Sequence, residues 1–198
     1  MAETHMKREI AEIPGAVARL LGEGRGAITA SAHALRDVDP NVIVTIARGS
    51  SDHAATFFKY ACELSTGVPV ASIGPSIASI YGASLKLDRA GAIGISQSGK
   101  SPDIVAMLES ACKSGATGIA ITNTADSPLA DAANHVVDIL AGTEQSVAAT
   151  KTFVTSAVAG SPSSPTGRTT SACSPCSMRS PKRSRTRCRA TGRHWSMR

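Results

Sequence analysis

Five short apolar runs, separated by segments with helical periodicity, constrain the fold of this 198-residue chain more than any other feature. The runs occupy residues 41–47, 68–73, 90–96, 116–122 and 135–140. They are almost continuously apolar rather than alternating, which is typical of strands buried on both faces of a parallel sheet. The helical segments between them occupy residues 52–65, 76–84, 102–114 and 127–133. This β-α alternation predicts an α/β fold, a three-layer αβα sandwich with a five-stranded, doubly wound parallel sheet.

Two further features concern helices. One is a helical pattern before the first strand, and the other is the end of the helical segment that follows the third strand. Residues 14–36 repeat apolar side chains at helical spacing, and the stretch GEGRG at 22–26 interrupts them. Gly115 directly follows the segment 102–114, and glycine at that place commonly ends a helix. We therefore expect a broken helix before the first strand and a helix end at Gly115.

The charge and hydropathy of the chain exclude two classes of protein. No run of 18 apolar residues is present, and the acidic N-terminus lacks the apolar centre of a signal peptide, so we expect no membrane partner and a cytoplasmic location. The formal net charge of +6 comes from residues 161–198, which hold nine Lys and Arg and no Asp or Glu. Residues 1–160 hold 12 basic and 15 acidic side chains, a net charge of −3, so we expect no nucleic-acid partner.

The last 38 residues, 161–198, contain no Leu, Ile or Val and so cannot form a core. We expect a disordered basic tail and interpret it as a frameshift product, with the true reading frame lost near Gly160. A native basic tail that binds nucleic acid is one alternative. A metal site is another, with the candidate ligands Cys173, Cys176, Cys188 and His194. One C-x-x-C pair followed by two unpaired ligands does not fit a metal knuckle, so we expect no metal and no cofactor.

Polar side chains follow three of the predicted strands at the point where each strand ends. They are Ser50 and Ser51 after the first strand, Ser96, Gln97, Ser98 and Ser101 after the third, and Thr143, at a predicted helix start, after the fifth. The carboxyl ends of parallel strands share one edge of the sheet, where helix N-termini present free amides, so these groups can converge on one anion. Each serine alone could be a helix cap, but three such turns in register favour a phosphate site.

The stretch GISQSGKS at 94–101 also fits the nucleotide-binding pattern G-x-x-x-x-G-K-[ST]. In a nucleotide site the strand ends before Gly94, whereas here the apolar run continues through Ile95. Pro102 fits best as the first residue of a helix that Ser101 caps. A magnesium-binding Asp at the end of a second strand is not expected either, because Asp138 lies inside HVVDIL. We therefore favour a simple anion site over a nucleotide site.

Three of these loops resemble the signature loops of the sugar isomerase (SIS) domain family. RGSSDHA, ISQSGKSPD and AGTEQSVAATKTF occur in the family's order, and THMKREIAEIPGAVARLL resembles its lead-in helix. The resemblance covers about residues 1–160 and is greatest to the isomerase half of glutamine–fructose-6-phosphate aminotransferases and to SIS-type glucosamine-6-phosphate deaminases. It implies a flavodoxin-like sandwich, a homodimer and a sugar-phosphate ligand, glucosamine 6-phosphate or fructose 6-phosphate.

The resemblance assigns substrate binding to six side chains that match the family's motifs, Ser50, Ser51, Ser96, Gln97, Ser98 and Ser101. Ser50 and Ser101 stand where the aminotransferases often have Thr, which keeps the hydroxyl. Lys100 stands where they often have Glu, which makes the loop more electropositive and favours the deaminase branch.

The resemblance also implies proton transfer between C1 and C2 of an open-chain amino sugar phosphate, which needs an acid and a base. In the family a second SIS domain largely supplies those groups, so we expect residues 1–160 to be the first domain of a pair and to have little turnover alone. The candidates here are Glu144 and Lys151, two turns apart on one predicted helix and therefore on one face. An exposed helical pair without a role in the pocket is an equal alternative.

The remaining candidates are assigned to structure. His53 is expected to be solvated in the first turn of a helix, and His33 and His135 to be structural. Cys62 and Cys112 are expected to be small core residues within helices. Two functional classes remain, one half of a sugar-phosphate isomerase or deaminase and, as the alternative, a non-catalytic phosphosugar-sensing domain.

Overall fold

The computed structural model describes residues 4–161 of the chain. Its elements are α1 His5–Gly22, α2 Arg25–Val38, β1 Ile43–Ile46, α3 Ser50–Thr66, β2 Val70–Ser72, α4 Ser76–Ser79, β3 Gly91–Ser96, α5 Pro102–Lys113, β4 Thr117–Thr122, α6 Pro128–Asp131, β5 His135–Asp138 and α7 Lys151–Ala159. The predictions made for the tail, including its four candidate metal ligands, lie outside the described residues. Within 4–161, every helix is too short or too polar to cross a bilayer.

The five strands form one parallel sheet in the order β2-β1-β3-β4-β5. All residues of β1 and β3 are buried, as continuously apolar strands require. From β1 the chain crosses outward to β2, and from β3 it crosses outward on the other side to β4. The switch in direction therefore lies between β1 and β3, the place where ligands bind in open α/β sheets. The predicted fold class is confirmed.

Two aliphatic clusters cover the two faces of the sheet. Ile43, Ile93 and Ile119 pack on one face with Leu20 of α1 and with buried residues of α3 and α7. The other face holds Val44, Ala92 and Ala120, which pack with α5 and α6. Alternate residues of each strand therefore serve opposite layers, which gives the predicted αβα sandwich.

The structure confirms the two predicted breaks before and within the sheet. Helix α1 ends at Gly22 and α2 begins at Arg25, so the break falls at Glu23 and Gly24, inside GEGRG. Gly115 follows the last residues of α5 with φ of +95°, as a helix-ending glycine does. The predicted helix 76–84 is shorter and ends at Ser79.

Two predictions at the carboxyl end of the sheet were wrong. The last strand does end in an acid, because β5 stops at Asp138. The helix expected to start at Thr143 begins at Lys151 instead. The Thr150 amide bonds to the Glu144 carboxylate at 2.9 Å and not to the carbonyl one helical turn before it, so the segment is not helical. Residues 139–150 form a loop, which we call the site loop.

Candidate functional site

The carboxyl ends of β1 and β3 open a small hollow at the switch point of the sheet. Ser50 and Ser51 are the first residues of α3, and Gln97 directly follows β3. These three side chains line a cavity of about 140 Å³ together with residues of the site loop and α7, namely Val147, Ala149, Thr152, Phe153 and Ser156. The first amides of a helix lack intrahelical acceptors, so α3 presents donors at this edge.

A larger hollow of about 740 Å³ lies beside the ends of β4 and β5. Its lining is polar and comprises Arg19, Gln97, Ser98, Asn123, Thr124, Asp138, Leu140, Gly142, Thr143 and Glu144. Gln97 belongs to both hollows, and its Nε2 donates a hydrogen bond of 3.2 Å to Oε2 of Glu144. This bond joins the β3 loop to the site loop and forms the boundary between the hollows.

The predicted site residues are therefore distributed over two adjoining spaces. Ser50 and Ser51 face the smaller hollow, whereas Ser98, Thr143 and Glu144 line the larger one. Three predicted residues line neither hollow, the buried Ser96 at the end of β3, Ser101 and Lys151.

The loop after β3 is held in place by the neighbouring strand and helix. The carbonyl of Gln97 accepts hydrogen bonds from the Asn123 amide (3.0 Å) and the Thr122 hydroxyl (3.3 Å). The carbonyl of Gly99 accepts one from the amide of Leu129 (3.0 Å). The hydroxyl of Ser98 accepts the amide of Lys100 within the turn. The loop backbone is thus anchored, and Gln97 and Ser98 remain exposed at its tip.

The nucleotide-binding interpretation fails on the position of Gly94. Gly94 lies inside β3 and pairs with both β1 and β4, so it cannot begin a phosphate-wrapping loop. A Cβ on Gly94 would lie 3.0 Å from Cδ2 of Leu108, which shows that this glycine lets α5 approach the sheet. Pro102 is the first residue of α5, as predicted. Ser101 occupies the N-cap position, but its side chain makes no capping hydrogen bond. Asp138 does end a strand, but its Oδ1 accepts the Leu140 amide at 2.9 Å.

Glu144 and Lys151 do not share a helix, contrary to the prediction. Glu144 lies in the site loop, and its carboxylate accepts the amides of Thr150 (2.9 Å) and Thr152 (3.3 Å). Both threonine hydroxyls donate to the same carboxylate. Glu144 thereby caps α7 from outside the helix. Lys151 is 3% exposed and pairs with the carboxylate of Glu12 on α1.

Sequence reasoning missed four polar side chains at this edge. Arg48, two residues after the end of β1, forms an ion pair of 2.6 Å with Asp103 in the first turn of α5. Asn123 donates to the carbonyl of Gly142 and accepts the amide of Ala141, both at 2.8 Å. Arg48 and Asn123 each stand directly after an apolar run, so the strand-end criterion could have found them. Arg19 donates to the carbonyl of Leu140 from α1, and no local pattern marks it.

The other candidates line neither hollow, and His33, which was expected to be structural, is exposed. His53 and His33 are exposed, and His135 is half-buried at the start of β5. Burial raises the pKa of the thiols of Cys62 in α3 and Cys112 in α5, which disfavours the reactive thiolate. Among residues 4–161, no cluster of three or more His, Cys, Asp or Glu could hold a metal ion.

The sequence profile described as the SIS domain matches residues 38–161. The chain belongs to the SIS domain family.

Individual relatives agree with this assignment. Glutamine–fructose-6-phosphate aminotransferase (isomerizing) of Streptomyces coelicolor is 36% identical over 162 residues, which are 78% of this chain and 26% of that protein. The crystal structure of a candidate phosphosugar isomerase from Silicibacter pomeroyi is 59% identical with a TM-score of 0.78, over 80% of this chain and 48% of that one. The C-terminal domain of glucosamine-fructose-6-phosphate aminotransferase from Francisella tularensis is 28% identical with a TM-score of 0.67. The match covers 80% of this chain and 46% of that one.

The chain thus spans about a quarter of the length of the aminotransferases that it matches. It spans about half of the solved chains.

Proposed function

We propose that this domain binds a phosphorylated sugar, with the phosphate group in the crevice between β1 and β3. The observation that carries the proposal is the small hollow itself, where Ser50, Ser51 and Gln97 meet at the start of α3. Hydroxyls, an amide side chain and helix amides are donors, and a phosphate ester offers several acceptor oxygens.

The charges beside the crevice favour a phosphate monoester over a nucleotide. Arg48 adds a guanidinium, but the carboxylate of Asp103 offsets its charge at 2.6 Å. A triphosphate bound with magnesium is normally held by a glycine-rich loop, a lysine and an acidic residue. Here Gly94 is part of a strand ladder. The neutral donors of the hollow therefore suit a single phosphate group.

The sugar moiety would extend from the phosphate toward the site loop and α7. Thr152 and Ser156 line the far side of the small hollow and offer hydroxyls to a polyhydroxylated chain. The related aminotransferases carry fructose 6-phosphate in their names. We propose glucosamine 6-phosphate or fructose 6-phosphate as the ligand. We also propose that the domain is one SIS half of an isomerase, deaminase or aminotransferase.

The second candidate function is a phosphosugar sensor without turnover. It is favoured by the state of the two candidate catalytic groups. The carboxylate of Glu144 accepts hydrogen bonds from Gln97, Thr150 and Thr152, and Lys151 is buried in an ion pair. Both groups are thus engaged within the domain, and neither is free to move a proton. Ammonia release or aldose–ketose exchange by the purified chain would exclude the sensor.

Substitution of the serines tests the binding proposal. We expect Ser50→Ala and Ser51→Ala each to weaken glucosamine 6-phosphate binding about tenfold to hundredfold, since a hydrogen bond to a charged group contributes about 1.5–3 kcal/mol. The matched control is Ser65→Ala, because Ser65 lies at the opposite end of α3 and donates to the carbonyl of Cys62. Calorimetry that detects ATP binding and no sugar-phosphate binding would refute the proposal.

We further propose a homodimer, in line with the family resemblance. Phe57, Tyr60 and Leu64 lie at helical spacing on α3 and are 50%, 62% and 86% exposed. Such an apolar stripe suits contact with a second copy of the chain. Sedimentation equilibrium should give twice the mass of one chain, and Tyr60→Glu should give a monomer. A wild-type monomer at micromolar concentrations would contradict this expectation.

A further inference from the structure

Helix α1 contacts the end of the molecule that carries the site, although the two segments are far apart in sequence. The guanidinium of Arg19 donates to the carbonyl of Leu140 at 3.1 and 3.3 Å. Glu9 accepts the amide of Gln145 at 2.5 Å and that of Ser146 at 3.3 Å. The profile of the SIS domain begins at residue 38, so α1 lies outside the matched region.

Glu9 is buried, with 5% of its surface exposed, although it is a charged residue on a largely exposed helix. A buried carboxylate needs compensating donors, and here consecutive amides of the site loop supply them. Both oxygens of Glu9 accept the amide of Ser146. The carboxylate of Glu9 therefore fixes the backbone at the two residues that follow Glu144, Gln145 and Ser146.

We propose that Glu9 is a positioning residue for the sugar-binding site. By holding the amides of Gln145 and Ser146, its carboxylate keeps Glu144 within hydrogen-bonding distance of Gln97, the side chain common to both hollows. The inference rests on the proposed function for the identity of the ligand. It adds a site component from a helix that the family profile does not include.

The neighbouring ion pair of Glu12 and Lys151 connects different elements. Glu12 pairs with Lys151, the first residue of α7, and 54% of the Glu12 side chain is exposed. That contact fastens α1 to α7 and does not involve the backbone of the site loop. Glu9 is therefore the α1 carboxylate that bonds directly to the loop amides.

Binding of two probes to the full chain separates positioning from general stability. Inorganic phosphate reports on the donors of Ser50, Ser51 and the first amides of α3, whereas glucosamine 6-phosphate also requires the site loop. We expect Glu9→Ala to weaken glucosamine 6-phosphate binding at least tenfold and to change phosphate binding less than twofold. Glu9→Gln, which keeps one acceptor oxygen, should give an intermediate loss. Glu23→Gln is the control, because Glu23 is exposed at the other end of α1.

Hydrogen exchange of the amides of Gln145 and Ser146 provides a readout that needs no ligand. We expect both amides to exchange faster in Glu9→Ala than in the wild type, with no change in Glu23→Gln. Equal weakening of both probes, together with a lower Tm, would indicate a purely structural role and overturn the inference. Unchanged exchange would overturn it too. A wild-type chain that binds neither probe would refute the proposed function, and the exchange rates alone would then decide whether Glu9 holds the loop.

Discussion

Replacement of Gly99 by alanine is expected to lower the free energy of unfolding by about 2–5 kcal/mol and to abolish sugar-phosphate binding. Gly99 has φ of +63°, where a side chain costs about 1–2 kcal/mol. A Cβ there would also overlap Ser127 Oγ and lie 2.7 Å from Ser127 Cβ and 3.0 Å from Thr122 Oγ1. Forced shifts of this kind cost about 1–3 kcal/mol. The shift would move the loop that carries Gln97 and Ser98.

Gly67→Ala is the matched control for this prediction. Gly67 has a similar φ of +75°, but a Cβ there would meet nothing within 4 Å. It follows the last turn of α3, far along that helix from Ser50. We expect a loss of about 1–2 kcal/mol in urea denaturation and no change in affinity. Equal losses in the two variants would show that the contact with Ser127 is not the cause.

Leu108→Ala should destabilise the domain by about 2–5 kcal/mol, the usual range for removing a buried leucine. Leu108 is fully buried between α5 and the sheet. Its Cδ2 packs where Gly94 has no side chain, so the strand backbone forms one wall of the space. Backbone in the middle of a sheet cannot move inward to fill the cavity, which places the loss toward the upper part of the range. Urea denaturation with an unchanged m-value measures it.

The control for Leu108 is Ile80→Ala, an aliphatic truncation at a side chain that is 75% exposed. We expect a change within about 0.5 kcal/mol there. A loss below about 1 kcal/mol for Leu108→Ala would mean that α5 does not pack on β3 as described. At temperatures where both proteins are fully folded, Leu108→Ala should keep its affinity for the sugar phosphate, because Leu108 lines neither hollow.

The sheet was predictable because its strands are buried on both faces. Such strands must be apolar at nearly every position, so each can be recognised as a continuous apolar run, such as AGAIGIS at 90–96. The strand-end serines followed from the same reasoning, since a parallel sheet directs all its carboxyl ends to one edge. The fold, and the edge of the sheet that carries the candidate site, could therefore be predicted from local sequence patterns.

The site loop was not predictable in the same way. Residues 143–151 contain Val147 and two alanines, which resemble the apolar face of a helix, yet Val147 is fully exposed. The site loop is held from α1 by the long-range contacts of Glu9 and Arg19. Those contacts join residues more than 120 positions apart, so a short stretch of sequence cannot predict them.

The docking of α1 on the site loop also orders events during synthesis. The bond from Glu9 to Gln145 spans 136 residues, so it joins two segments that are synthesised far apart in time. Contacts of high sequence separation form late because they close long loops, whereas β1, β3 and α5 are near neighbours. We therefore expect the sheet to form before α1 docks on the site loop, and a nascent chain released before residue 145 to lack this contact.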